Sequence, residues 1–401
     1  MSVSVYSLVS EVHDAAAIDE SLKNFNADIQ SRLNDKFSEI TIEDIKKQNP
    51  PFVLIYVKSG GVEGLFKKLF EHINLRFFLL TSDMHNSLPA AMEILSYINA
   101  RGGRGEILHG RADFIAARLG TILRAARLKN DLRGKRIGLI GKPSDWLIAS
   151  SVDYESVKEK FGMDIIDIPM DEIIGGFKKE YQINNLRVDE LLKKGFCEKT
   201  LKDALNLYGC FKAVCDKYRL SAFSVRCFDL LAPLKNTGCL ALSLLNDEGV
   251  TAGCEGDLPA LISMMIINGL SGAKSFMANP SSIDRDKNTL ILAHCTVPLN
   301  MTAGYELDSH FESKIGAAIR GTIPPGAATI FKISNSLREY WVSPAAIQSN
   351  LNRPNLCRTQ IEIKVEKGVD YFLKRPLGNH HIIACGDHSA LIDEFFSAFS
   401  A

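Results

Sequence analysis

Short, almost wholly apolar segments alternate with amphipathic ones through the first two-thirds of this 401-residue chain, and this alternation restricts the fold more than any other feature. A parallel strand buried on both faces is a continuous apolar run, and the helices that follow such strands cover the sheet. The pattern therefore predicts doubly wound α/β layers. The predicted strands are FVLIYV (52–57), FFLL (77–80), GEILHG (105–110), RIGLIG (136–141) and DIIDIP (164–169).

The pattern changes after about Ser271, where helical periodicity gives way to β-rich segments separated by Gly and Pro turns. These segments, among them TLILAHCTVP and HHIIACGD, predict an antiparallel barrel or sandwich. A chain of this length also exceeds what one hydrophobic core usually holds. We therefore expect three domains: an N-terminal α/β domain at 1–133, a central α/β domain at 134–272, and a C-terminal β-rich barrel domain at 273–401.

The overall composition excludes several classes of partner. Forty-seven basic residues balance forty-seven acidic ones, so no net field draws the protein to nucleic acid or to an anionic membrane, and a small neutral substrate fits better. The nine cysteines are scattered and form no CxxC pair, so we interpret them as reduced thiols of a cytoplasmic protein. The first residues, MSVSVYSLVSEVHD, lack the features of a secretory signal, and no apolar run is long enough to span a bilayer.

Two acids interrupt an apolar region in the segment CEGDLPALI, which begins at Cys254. Glu255 and Asp257 follow the apolar run VTAGC, and the carboxyl end of an α/β strand is where ligand-binding groups project. Residues two apart on an extended chain also point to the same side. The alternative is structural, with one acid capping the helix that begins near Leu258 and the other pairing with a surface arginine.

Three histidines lie at the ends of apolar runs in the β-rich region: His294 in LILAHC, and His380 and His381 in GNHHIIACGDH. A single histidine among apolar residues is more often a core residue than a ligand. Three of them together with an acid pair favour a metal site, because carboxylate and imidazole suit Mn²⁺, Fe²⁺, Co²⁺ or Zn²⁺. No GxGxxG, P-loop or GxSxG motif offers a competing site, and His310 and His388 are expected at the surface.

These segments resemble the L-fucose isomerase and L-arabinose isomerase group, including short fucose isomerase-like proteins. In that group a G-E-G-D-type acid motif opens a helix, an S-F-M-acid segment follows, an apolar strand ends in His, and a His-His pair stands near the C-terminus. This chain has the same order, with a softer match earlier in the chain. The matching segments are CEGD (254–257), KSFMANP (274–280), NTLILAHCTVP (288–298) and NHH (379–381), and the softer one is DMHNSLPAAMEIL (83–95).

The resemblance implies aldose–ketose isomerisation of a small sugar (a deoxy-sugar, a pentose or a related aldose) by two Rossmann-like domains and a C-terminal barrel. It also implies a homo-oligomer, a trimer or a hexamer, with active sites at subunit contacts. The implied cofactor is a divalent metal ion, Mn²⁺ first, with Mg²⁺, Co²⁺ or Zn²⁺ as alternatives. By this resemblance Glu255 is the metal-ligating base with Asp257 in support, and His294 and either His380 or His381 are further ligands.

Residue 279 departs from the family pattern. The group carries a second metal-ligating acid after S-F-M, whereas this chain has Ala278 and Asn279. An Asn carbonyl ligates a metal weakly, carries no charge and cannot act as a base at neutral pH. Three explanations stay open. In the first, another acid replaces the lost one: Asp257, Asp284 or Asp286, of which the last two also suit a solvated turn. In the second, the chemistry needs only one base, and in the third, catalysis is lost and sugar binding is kept.

Four more residues are candidates for sugar binding. His85, Asn86 and Ser87 follow a strand, where polar groups can reach a ligand, although Asn86 or Ser87 equally suits a helix cap. Trp146 suits either stacking on a sugar face or packing between domains. The leading hypothesis is a metal-dependent sugar isomerase. The alternatives are a non-catalytic or altered carbohydrate-binding protein on the same scaffold, and another metal-dependent sugar reaction such as epimerisation or aldol cleavage.

Overall fold

The computed structural model describes residues 2–73 and 76–397, which divide into two compact units. The first unit runs to Asn130 and takes in the residues from Glu394 onward, and the second runs from Asp131 to Asp393. The predicted central domain and the predicted C-terminal domain as far as Asp393 both fall within the second unit. The boundary expected between them near residue 272 stays a prediction.

The first unit alternates strands with helices along its described residues. These elements are β1 (Ser2–Leu8), α1 (Ala15–Leu33), β2 (Lys36–Glu39), α2 (Ile42–Gln48), β3 (Leu54–Val57), α3 (Glu63–Phe70), β4 (Phe77–Leu80), α4 (Ser87–Ala100), β5 (Gly105–Leu108) and α5 (Ala112–Asp131). The strands form one parallel sheet in the order β2-β1-β3-β4-β5, the flavodoxin-like arrangement of a doubly wound fold. Separate apolar clusters involve the two faces of this sheet, so helices cover both faces.

Strand β1 was missed by the sequence analysis, which considered the N-terminal segment only as a possible signal. The strand pairs with β2 on one side and β3 on the other. Its residues Val3, Val5 and Leu8 are buried, but serines separate them in the sequence. Because the prediction relied on continuous apolar runs, an alternating strand escaped it.

The second unit begins with another layer of parallel strands and helices. Its elements are β6 (Arg136–Ile140), α6 (Tyr154–Phe161), β7 (Asp164–Ile168), α7 (Met170–Gly176), α8 (Val188–Leu192), α9 (Glu198–Tyr218), β8 (Ala222–Val225), α10 (Leu231–Leu234), α11 (Cys239–Glu248), β9 (Thr251–Cys254) and α12 (Leu258–Ser271). The sheet order is β7-β6-β8-β9, all parallel. Strand β9 is thus an edge strand, and its carboxyl end leads directly into CEGD.

The remainder of the second unit is mostly antiparallel. It comprises β10 (Ser275–Asp284), β11 (Thr289–His294), β12 (Gly304–Asp308), β13 (Ala318–Thr322), β14 (Gly326–Ile333), β15 (Tyr340–Asn350), β16 (Thr359–Val365), α13 (Asp370–Lys374), β17 (His381–Cys385) and α14 (Ser389–Ser397). Six strands close into a barrel in the order β10-β11-β16-β15-β14-β17, and β12 and β13 form a separate hairpin. The predicted fold class, two parallel α/β sheets and a C-terminal antiparallel barrel, is confirmed.

Helix α12 lies between the parallel sheet and the barrel. It contacts β8 and β9 on one side and β10, β14 and β17 on the other. Almost every residue from Leu258 to Leu270 is buried, as expected of a helix that is apolar around its whole circumference. No helix among the described residues is long and apolar enough to cross a membrane. The N-terminus of α12 therefore stands where the sheet meets the barrel.

A tight turn joins β9 to α12. Glu255 and Gly256 both have left-handed backbone conformations, with φ of 62° and 72°. A Cβ atom on Gly256 would lie 2.5 Å from the carbonyl oxygen of Lys142 and 2.7 Å from Cα of Pro143. The carbonyl of Glu255 accepts a hydrogen bond from the backbone N–H of Ser144 at 2.8 Å. Only glycine fits at position 256, because the backbone of a neighbouring loop occupies the space of a side chain.

Gly256→Ala should lower the free energy of unfolding by about 3 kcal/mol or more, since the left-handed conformation alone costs alanine roughly 1–2 kcal/mol and the clash with backbone adds to it. Urea denaturation measures this change. Gly272→Ala is the matched control, because φ is 69° there and no atom lies within 4 Å of the added Cβ. Equal losses for the two variants would show that the close approach at Gly256 has no energetic weight.

Candidate metal centre

Three side chains that are distant in sequence meet within the second unit. Glu255 follows β9, His294 ends β11, and His380 immediately precedes β17. Their candidate ligand atoms all lie within 4.8 Å of one another, and all three residues are buried. Two ligands of one ion, each bonded at about 2.0–2.2 Å, stand at most about 4.4 Å apart. The cluster therefore approaches the dimensions of a ligand set for a single ion.

The barrel register explains why these histidines meet. Strand β10 lies between β17 and β11, so the ends of all three strands are adjacent. Asn279 on β10 pairs with Ala293, the residue before His294, while Ala278 pairs with His381. The sequence motif SFMAN thus places Asn279 in the ladder beside both histidine strands.

One buried polar atom at this position, Oδ1 of Asn279, lacks a hydrogen-bond partner among the described residues, and Nε2 of His380 has only the long contact with Oε1 of Glu255 at 3.5 Å. An unsatisfied buried polar atom costs roughly 1–3 kcal/mol, and native structures contain few of them. An amide oxygen and an imidazole nitrogen both donate electron pairs to a cation. The residues present therefore fit a bound metal ion, with Glu255 as the anionic ligand.

Hydrogen bonds to the far side of each imidazole leave Nε2 for this ion. Nδ1 of His380 lies 3.0 Å from Oδ2 of Asp257, and Nδ1 of His294 lies 3.0 Å from Oγ1 of Thr296. Because Asp257 is a carboxylate, His380 donates its Nδ1–H to it. A carboxylate behind a ligating histidine fixes the ring orientation and raises its basicity, an arrangement common in metal sites.

Asp257 is fully buried and has three partners. Its Oδ1 caps α12 by accepting the N–H of Ala260 at 2.8 Å, and it lies 3.3 Å from Nζ of Lys332. Its Oδ2 faces His380. The sequence left open that one of the two acids caps the helix, and Asp257 is that acid. Asp257 also orients His380. The structure places Asp257 behind the histidine and off the wall of the pocket described below.

Glu255 has a different setting. The indole N–H of Trp146 donates to Oε2 at 2.7 Å, while Oε1 lies 3.5 Å from Nε2 of His380. Burial raises the pKa of Glu255, but His380, His294 and the Trp146 indole lower it to about 2. The carboxylate is therefore ionised at neutral pH. Trp146 is placed to hold one of its oxygens, a role that sequence analysis did not foresee.

Two buried carboxylates, Asp257 and Glu255, face two basic groups, Lys332 and His380. Burial lowers the pKa of Lys332, but Asp257 opposes this effect as its ion-pair partner. Burial also lowers the pKa of His380, whereas Asp257 and Glu255 together raise it to about 9. Burial and the neighbouring His380 lower the pKa of His294 to about 4, so His294 is a neutral electron-pair donor. Two carboxylates thus give this buried position a preference for positive charge.

His381 lies apart from the cluster, so the His-His pair brings one imidazole to it and not two. Adjacent residues on a strand point to opposite faces. Nδ1 of His381 bonds to the carbonyl of Asn379 at 2.9 Å, Nε2 lies 3.0 Å from the hydroxyl of Tyr371, and the ring packs on Phe372. Both ring nitrogens of His381 are therefore hydrogen-bonded, and its ring belongs to an aromatic cluster. His380 is the histidine that lies beside Glu255 and His294.

The other acids proposed as replacements for residue 279 also lie elsewhere. Asp284 accepts the backbone N–H groups of Asp286 and Lys287 at 3.1 and 3.0 Å, in the turn between β10 and β11. Asp286 is exposed in the same turn. Both therefore belong to the solvated turn that sequence analysis gave as the alternative.

His85, Asn86 and Ser87 lie in the first unit, between β4 and α4. Ser87 is buried and its hydroxyl donates to the carbonyl of Val57, while Nε2 of His85 lies 2.9 Å from the hydroxyl of Ser21. Asn86 precedes α4 in a left-handed conformation and makes no side-chain cap. Ser87 thus has a structural role, and sugar binding by this segment stays a prediction.

A pocket whose empty space, counted together with open solvent, is about 470 Å³ adjoins the cluster. Its wall combines the candidate ligands with thiols and an aromatic ring. The lining residues are Cys227, Phe228, Leu231, Thr237, Cys239, Cys254, Glu255, Asn279, His294, Cys295, His310, Glu312 and Cys357. Every cysteine of the chain is a free thiol, and Sγ of Cys227 and Cys254 lie 3.1 Å apart.

The prediction that His310 lies at the surface is wrong. The residue is 9% exposed, lines the pocket, and packs edge-on against Phe228 with 5.6 Å between ring centroids. Glu312, two residues later, also lines the pocket and was not considered in the sequence analysis. The segment SHFESK carries no apolar pattern that would have revealed this placement.

Comparison with known proteins finds similarity to sugar isomerases. The chain is 27% identical over 236 residues to a sulfoquinovose isomerase of Priestia megaterium, covering 54% of this chain and 50% of that protein. It is 23% identical over 268 residues to one from Alkalicoccus urumqiensis (64% and 60%) and 24% over 264 residues to one from Clostridium sp. strain MSTE9 (62% and 59%). The chain thus spans half to three-fifths of these relatives. No family model matches it.

Lys332→Met should lower the free energy of unfolding by about 3–5 kcal/mol, because Asp257 would remain as a buried charge without its cation. The double variant Lys332→Met/Asp257→Asn should lose much less free energy of unfolding than the sum of the losses in the two single variants. Urea denaturation of the wild type, the two single variants and the double variant measures this coupling energy. Lys364→Met, an exposed lysine on β16, is the control. Strict additivity would mean that the ion pair does not stabilise the site.

Proposed function

We propose that the protein is an aldose–ketose isomerase that acts on a small sugar with the help of a divalent metal ion. The observation that carries this proposal is the buried set of Glu255, His294 and His380, joined by the unpartnered oxygen of Asn279. The similarity to sulfoquinovose isomerases supports the sugar-isomerase class. The order of the CEGD, SFMAN and NHH segments supports a relation to the fucose and arabinose isomerase group.

Carboxylate, imidazole and amide-oxygen ligands are compatible with several divalent ions, and we propose Mn²⁺, with Mg²⁺, Co²⁺ or Zn²⁺ as alternatives. When bound, such an ion would supply positive charge that stabilises the negative charge developing on the sugar during the reaction. Glu255, His294, His380 and Asn279 would hold it. Asp257 is a positioning residue because it holds the ring of His380, and Lys332 acts through its ion pair with Asp257; neither lines the pocket.

The reaction moves two protons: the hydrogen on C2 goes to C1, and the hydroxyl proton on O2 goes to O1. We assign the transfer of the carbon proton to Glu255, the carboxylate of the buried cluster. The Trp146 N–H fixes Oε2, so the carboxylate keeps one orientation. A positioned base of this kind is worth roughly 10²–10⁴ in rate.

A sugar-binding protein without isomerase activity is the second candidate. The observation that favours it is Asn279, which leaves the cluster with one anionic ligand where the resembled family has two. A panel of deoxyhexoses, pentoses and sulfonated sugars, each as aldose and ketose with Mn²⁺ in deuterium oxide, separates the two. Exchange of the C2 hydrogen and appearance of the isomer support the enzyme, whereas binding without exchange supports the alternative.

Glu255→Gln should reduce isomerisation by about 10²–10⁴ and weaken Mn²⁺ binding, because the amide keeps the shape but supplies neither the charge nor the base. Steady-state assay and metal analysis after equilibrium dialysis measure the two effects. Unchanged turnover in this variant would overturn the assignment of the base.

Asn279→Asp should tighten Mn²⁺ binding by about 10-fold or more, since an anionic oxygen would replace a neutral one beside the other ligands. Isothermal titration of Mn²⁺ into both proteins measures this gain. Asn355→Asp adds the same charge at an exposed loop position and should leave the affinity unchanged. An unchanged affinity in Asn279→Asp would place residue 279 outside the ligand set.

A further inference from the structure

The proposed reaction needs a second proton-transfer group, and the expected one is absent. Asn279 cannot take up a proton at neutral pH. The acids suggested as replacements are already engaged: Asp257 by Lys332, His380 and the α12 N-terminus, and Asp284 by the turn that also contains Asp286. A different acid–base group must therefore do this work if two groups are used.

The pocket wall contains two carboxylates, Glu255 and Glu312. Glu312 makes no hydrogen bond or ion pair with any residue that the structure describes, in contrast to Glu255, which is held by Trp146. Its side chain is therefore free to meet a ligand in the pocket. Asn279 and His294 line the same pocket, so a sugar beside the candidate ligands also lies within the volume that Glu312 borders.

The backbone that carries Glu312 is fixed although the carboxylate is not. The segment lies between β12 and β13, and the N–H of His310 bonds to the carbonyl of Ile315 at 3.0 Å while the N–H of Lys314 bonds to the carbonyl of His310 at 2.9 Å. The turn ends at Gly316, where a Cβ would lie 2.5 Å from Oγ1 of Thr237. The turn is thus closed on itself and packed against a pocket residue.

A second anchor holds the start of the turn. The guanidinium of Arg358 donates to the carbonyl of Ser309 at 2.7 Å and pairs with Asp308 at 3.3 Å. Precise placement of the supporting elements is what allows a catalytic side chain to act. The turn therefore presents a free carboxylate at a defined position on the pocket wall.

We propose that Glu312 is the second acid–base residue and transfers the hydroxyl proton of the sugar, an inference that rests on the proposed function. In the aldose-to-ketose direction Glu312 takes the proton from O2 as the C2–O2 bond becomes a carbonyl, and it gives that proton to O1. Glu255 meanwhile moves the C2 hydrogen to C1. No oxidant or reductant is needed, because the two transfers only relocate hydrogen within the sugar.

The test compares Glu312→Gln with wild type in two kinetic readouts, C2-hydrogen exchange with deuterium oxide and net isomerisation. We expect isomerisation to fall by about 10²–10⁴. Exchange should fall far less, because Glu255 can still remove and return the carbon proton. The ratio of exchange to isomerisation should therefore rise. A purely structural loss would lower both rates together and leave the ratio unchanged, which would overturn the proposal.

Glu306→Gln is the matched control, since Glu306 is an exposed acid on the adjacent strand β12 and does not line the pocket. It should leave both rates unchanged. Mn²⁺ affinity should stay at the wild-type value in Glu312→Gln, because Glu312 is not among the clustered ligands. Loss of metal binding in Glu312→Gln would reassign the residue to the metal and contradict a proton-transfer role.

A binding cycle tests the contact without relying on turnover. For the best ligand of the sugar panel, Glu312→Gln should weaken binding by about 10-fold, as expected for a charge-assisted hydrogen bond, and the loss should vanish for its 2-deoxy analogue. If the loss of affinity depends on the 2-hydroxyl but the wild type shows no turnover, the isomerase proposal is refuted and the contact between Glu312 and O2 is retained. Equal weakening for both sugars overturns the Glu312 contact, and a wild type that binds no sugar overturns both proposals.

Discussion

The buried carboxylate of Asp257 bonds to three parts of the second unit around the candidate metal centre. It caps α12, pairs with Lys332 of β14 and orients His380 beside β17. Burying an isolated charge is very costly, so all three partners must be present together for the carboxylate to be tolerated. The orientation of a candidate metal ligand, His380, therefore depends on the packing of the barrel against α12. The centre exists only when the sheet and barrel have met.

Much of this architecture follows from local patterns. Continuous apolar runs located the strands β3 to β7, and the acid motif after VTAGC located the carboxyl end of β9, because short apolar runs are typical of the strands of a parallel sheet. Strand β1 was hidden, since its serines alternate with buried Val3 and Val5. The segments SFMAN and LILAHC also led to neighbouring strands, and their pairing places Asn279 opposite Ala293.

Other features depend on pairings that no local pattern encodes. His380 and His381 are identical and adjacent, and only the register of β17 against β10 decides which faces Glu255. Lys332 stands in the apolar strand GAATIFKI, where a buried lysine signals a partner but does not identify it. Glu312 lies exposed in a polar turn, and it also borders the pocket because long-range contacts of Thr237 and Arg358 hold that turn.

The bond between Trp146 and Glu255 also makes the protein its own optical reporter. The chain has two tryptophans, and the other, Trp341, stacks flat on Tyr371 with 4.0 Å between ring centroids. Trp146 is half exposed and donates its N–H directly to the proposed base. Whatever occupies or neutralises that carboxylate changes the field and the hydrogen bond at the indole. Intrinsic emission therefore follows events at Glu255, and replacing Trp341 by Phe would isolate that emission without a dye or label.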